Sequence, residues 1–93
     1  MLTVDEMALR IVEWIRRTKQ VEFHFSVMLH HARIPGINTR TDRIDLDKAI
    51  FLLTNFGVLV RKDHSNNHIS GPKPRTYVVN NMRLRDFLNH ILI

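Results

Sequence analysis

Leu46-Asp47-Lys48-Ala49-Ile50-Phe51-Leu52-Leu53-Thr54-Asn55-Phe56-Gly57-Val58-Leu59-Val60-Arg61-Lys62 changes its periodicity halfway along. Leu46, Ala49, Ile50, Leu53 and Phe56 recur at the spacing that puts apolar side chains on one side of a helix. Gly57 then supplies a stop, because glycine accepts a positive φ at little steric cost. Val58-Leu59-Val60 is apolar and rich in β-branched residues, which predicts a strand. Upstream, Asn38-Thr39-Arg40-Thr41-Asp42 is a polar connector rich in N-cap residues, so the helix is expected over 42–56. Downstream, Arg61 to Arg75 is polar and holds the turn chemistry Ser70-Gly71-Pro72-Lys73-Pro74, and Thr76-Tyr77-Val78-Val79 reads as a returning strand. The two strands predict an antiparallel hairpin over 58–79.

Towards the N-terminus, Thr3-Val4-Asp5-Glu6 fits a capping box, in which the Thr hydroxyl accepts from the third helical N–H and Glu6 reaches back. Val4, Met7, Ala8, Ile11, Val12 and Ile15 follow at helical spacing, with Trp14 beside the stripe, and predict a helix over 3–19. Val21-Glu22-Phe23-His24-Phe25 alternates apolar and polar, as a short strand or an extended lead-in over 21–25 would. Ser26 is a suitable N-cap for a second helix over 26–33, which Ile34-Pro35-Gly36 ends. Towards the C-terminus, Leu84, Phe87, Leu88, Ile91 and Leu92 form one stripe of a final helix over 82–93. The order of elements predicts a mainly helical α+β fold in a single domain of 93 residues.

Fourteen Lys and Arg residues, ten of them Arg, face nine Asp and Glu, for a net charge of +5. That excess favours polyanionic partners, since each neutralised phosphate releases counterions. The chain has no cysteine, which excludes disulfides and thiolate zinc sites and fits a reducing compartment. The N-terminus lacks a basic segment followed by an apolar stretch, and no apolar run approaches the roughly 18 residues needed to span a bilayer. A soluble, cytoplasmic protein with no membrane association is therefore expected.

On these residues the chain resembles the winged helix-turn-helix superfamily of DNA-binding domains, in the form of a small stand-alone transcriptional regulator. Leu46, Ala49, Ile50, Leu53, Phe56, Gly57, Val58 and Val60 match the pattern of its recognition helix and first wing strand. The resemblance implies a three-helix core, a β-hairpin wing and, here, an additional C-terminal helix. It also implies sequence-specific binding of double-stranded DNA, with the third helix in the major groove and the hairpin over an adjacent groove or the backbone. Carried onto this sequence, the contacts are Thr39, Arg40, Thr41, Arg43, Ile44, Asp47 and Lys48 around the helix. On the wing they are Arg61, Lys62, His64, Asn66, Asn67, His68, Lys73 and Arg75. Arginine can read guanine bidentately, and Ile44 can touch a thymine methyl.

Some residues fit a plain DNA reader less well. Asp42, Asp45 and Asp47 suit the positive end of a helix dipole but repel phosphates. The connector from Ile34 to Asp42 is nine residues, longer than the tight turn of the superfamily. Phe51 falls on the outward stripe with Thr41, Ile44, Lys48 and Asn55, so either the C-terminal helix or a second subunit must cover it. Leu84, Phe87, Leu88, Ile91 and Leu92, with Phe51, are expected to form the interface of a homodimeric regulator, with packing of the final helix within the chain as the alternative. A protein-interaction module of the same fold, without direct DNA readout, is the alternative function.

Six histidines raise the question of a metal. His30 and His31 are adjacent and point about 100° apart on a helix, while His64 and His68 lie in an expected loop, so no metal or other cofactor is expected. There is neither a G-x-S-x-G motif nor a phosphate-binding Gly-rich loop, and an enzyme is not expected.

Overall fold

A computed structural model describes residues 2–62 and 75–91. In chain order the elements are α1 (Val4–Thr18), β1 (Glu22–His24), α2 (Phe25–His31), α3 (Arg43–Phe56), β2 (Leu59–Lys62), β3 (Thr76–Val79) and α4 (Asn81–Ile91). They form an α+β fold of four helices and one antiparallel sheet ordered β1-β3-β2. β3 is central: Phe23 sits opposite Tyr77 on one side, and Leu59 opposite Val79 on the other.

Local chemistry explains the ends of the two long helices. Thr3 Oγ1 accepts from the Glu6 N–H at 3.1 Å, and Glu6 Oε1 accepts from the Thr3 N–H at 3.3 Å, closing the capping box on α1. α3 ends at Gly57, which has φ 90° and ψ 4°. The Val58 N–H donates to Leu53 O at 2.9 Å and the Gly57 N–H to Thr54 O at 3.1 Å. That is the Schellman pattern, and Leu53 and Val58, which bracket it, are both buried. The reversal delivers the chain directly into β2.

The core lies between α1, the inner face of α3 and the sheet. Met7, Ala8, Ile11, Val12 and Ile15 from α1 meet Leu46, Ala49, Ile50 and Leu53 from α3 in one buried cluster. Trp14 packs edge-on against Phe23 at 5.4 Å between ring centroids. Phe56 does the same with Phe87 at 5.3 Å, tying α4 to the end of α3. Leu84, Phe87 and Leu88 are thereby taken into the chain's own core. This corrects their assignment to a dimer interface: an α4 stripe that closes over its own monomer is not free for a second copy. Ile91 packs half-buried against the same cluster, and Leu92 lies outside the described residues.

Two further expectations change. α2 starts at Phe25 rather than after Ser26, with His24 at the N-cap and no side-chain cap. The Phe25 N–H instead donates to Arg75 O at 2.8 Å, so β1 runs straight into the helix. α4 does not cover Phe51, which remains 66% exposed.

Candidate nucleic-acid interface

The connector between α2 and α3 is a hydrogen-bonded turn. The Asn38 N–H donates to Asp42 Oδ2 at 2.9 Å, the Asp42 N–H donates to Asn38 O at 2.8 Å, and the Arg40 N–H donates to Asn38 Oδ1 at 3.1 Å. Ile34 is buried and Ile37 packs half-buried on the core, anchoring the other half of the connector. The Asp42 carboxylate is therefore committed to its own turn. It makes no side-chain cap on α3.

This turn holds Thr39, Arg40 and Arg43 against the end of α2. Together with Leu29 and His30 they line a concavity of about 480 Å³. A neighbouring one of about 710 Å³ shares Leu29, His30, Thr39 and Arg40 and adds Arg33. Among the described residues no carboxylate lines either hollow. Three guanidiniums and an imidazole thus converge on one side, with no ion-pair partner for them among the described residues. Arginine forks of this kind match phosphate oxygens in geometry and charge.

The outward face of α3 continues from this hollow. Ile44, Lys48, Phe51 and Asn55 are exposed, at the four-, seven- and eleven-residue offsets that share one helical face. Ile44 is 73% exposed. Thr41 is exposed in the turn and lines neither hollow.

Two nominated contacts engage each other instead. Arg75 Nη2 donates to Asp47 Oδ1 at 2.7 Å, and the Arg75 guanidinium carbon lies 3.7 Å from the centre of the Phe25 ring. With its carbonyl accepting from Phe25, Arg75 latches the start of β3 to α2 and α3. Asp47 and Arg75 are thus held to each other as well as standing among the expected contacts. The pairing removes one of the aspartates from the phosphate-repelling account.

On the sheet, Lys62 Nζ reaches Glu22 Oε1 at 3.3 Å, bridging the two strands that flank β3. Arg61 is exposed on β2. His64, Asn66, Asn67, His68 and Lys73 lie outside the described residues. Among the described residues no three His, Cys, Asp or Glu side chains are grouped to hold a metal, and no helix is long and apolar enough to cross a membrane.

His30 and Arg33 were not among the nominated contacts. Their signal was weak but present: two basic positions at the end of one helix, followed by a connector able to fold back over them. No family model, curated protein or solved structure matches this chain.

Proposed function

We propose that the chain is a winged-helix domain that binds double-stranded DNA in a sequence-specific manner and regulates transcription. The observation that carries this reading is the pair of adjoining hollows lined by His30, Arg33, Arg40 and Arg43, with no carboxylate among the described residues, beside the exposed face of α3. In this reading the hollow takes phosphates of one strand while the amino-terminal half of α3 enters the major groove. The element order supports it: three helices, then the β2–β3 pair, with β1 as a third strand.

Ile44 and Phe51 acquire a role on this account. Apolar side chains in the major groove meet the methyl groups of thymine, and Lys48 between them reaches phosphate or guanine. The same exposure of Phe51 favours a second reading, in which a protein partner, a second copy of the chain included, covers that ring.

One experiment separates the two. Duplexes retained from a random pool are remade with uracil in place of thymine, which deletes only the methyl groups. The DNA reading predicts weaker binding of the uracil duplex by wild-type protein, and a smaller thymine-to-uracil difference for Phe51→Ser. Loss of self-association or partner binding in Phe51→Ser, with an unchanged thymine-to-uracil difference, assigns Phe51 to protein contact. Failure to retain any duplex rejects DNA binding altogether.

A further inference from the structure

A second cationic hollow lies away from α3. The last turn of α1 and one side of α4 stand alongside each other and enclose about 650 Å³. Arg16 and Lys19 come from the α1 side, spaced three apart, and Arg85 from α4. Gln20, Asn81 and Asn89 add side-chain amides to the wall. None of these six residues lines the His30–Arg43 hollow.

Three features suit it to an anion. First, no carboxylate among the described residues lines it: Glu13, Glu22 and Asp86, the nearest in sequence, are exposed and stand outside the lining. Second, Arg16, Lys19 and Arg85 have no ion-pair partner among the described residues. Three like charges held in one half-open hollow raise the local potential, which a polyanion relieves by displacing small counterions. Third, two of the carbonyls in the last turn of α1 are already satisfied. Lys19 adopts a left-handed conformation at φ 54°, and the Lys19 and Gln20 N–H groups turn back onto Arg16 O at 3.4 Å and Ile15 O at 3.0 Å. The negative end of the helix is thus partly screened from an incoming anion.

We propose that this hollow holds the phosphodiester backbone of a second duplex segment, so that one copy of the chain can bring two stretches of DNA together. The proposal rests on the DNA-binding reading of the α2–α3 hollow. Phosphate suits the guanidinium pair and the amides, all of which donate hydrogen bonds, and it matches the charge of the partner already proposed.

The test is capture of a fluorescent duplex by protein loaded on an immobilised duplex, with wild type and Arg16→Ala/Arg85→Ala. Both arginines are exposed, so the variant keeps the core intact. Wild type is expected to capture the second duplex, and the variant about tenfold less, while its affinity for a single duplex changes by less than about threefold. Bridging by a dimer through α3 would survive the double substitution, so undiminished capture overturns the proposal. A wild-type protein that binds one duplex and captures no second also overturns it, leaving the α3 reading intact. Binding to no duplex at all overturns both. Retention of a poly-glutamate peptide that depends on Arg16 and Arg85, without capture of a second duplex, gives the hollow to an acidic protein segment instead.

Discussion

Both faces of α3 carry large apolar side chains and do opposite things with them. The inner face puts Leu46, Ala49, Ile50 and Leu53 into the core, each at most 2% exposed. The outer face leaves Ile44 and Phe51 in solvent, with Lys48 between them. Hydrophobicity alone therefore does not say which residues hold this helix in place. Burial on α1 and the sheet does, and the outer face is free of any packing duty. That freedom is what qualifies it for recognition.

Breaking the inner face has the largest expected effect. Leu53→Ala removes a fully buried side chain where α3 meets α1 and the Schellman turn, and is expected to cost about 2–5 kcal/mol. That is a large part of a stability on the order of 5–10 kcal/mol, and urea unfolding followed by circular dichroism measures it. Gly57→Ala comes next. An added Cβ at a φ of +90° would also meet Arg83 Cγ at 3.3 Å. A loss of about 1–2 kcal/mol is expected by the same assay.

Arg75→Ala sharpens the distinction between latch and contact. It removes a partly exposed ion pair and a cation–π contact, together worth about 1 kcal/mol. A lower denaturation midpoint is expected, with duplex affinity nearly unchanged; a large loss of affinity at unchanged stability would make Arg75 a contact rather than a latch. Phe51→Ser has the smallest effect on the fold, within about 0.5 kcal/mol, because that ring is 66% exposed. A larger loss in thermal unfolding would show that Phe51 is covered within the monomer.

What could be read from the chain follows the range of the interactions. The capping box at Thr3 and Glu6, the stop at Gly57 and the inward stripe of α3 are local, and their chemistry is visible in consecutive residues. The Arg75–Asp47 pair joins residues 28 apart, and no periodicity announces it. The gathering of His30 and Arg33 with Arg40 and Arg43 depends on the Asn38–Asp42 turn, whose residues read only as N-cap candidates. The α4 stripe illustrates the same limit. Its spacing fixes a buried face, but whether that face meets its own chain or another is settled by Phe56 and Phe87 meeting in space. The third strand was visible only as five alternating residues; its partner, β3, lies beyond the whole of α3.

The account turns on the basic hollow beside α3 rather than on the helix alone. The most direct measurement is the slope of log affinity against log salt for a retained duplex, in wild type and in Arg40→Ala/Arg43→Ala. If those two guanidiniums each neutralise a phosphate, the slope becomes shallower by about 2 and affinity falls across all sequences. An unchanged slope in the double variant would contradict the assignment of this hollow to the DNA backbone.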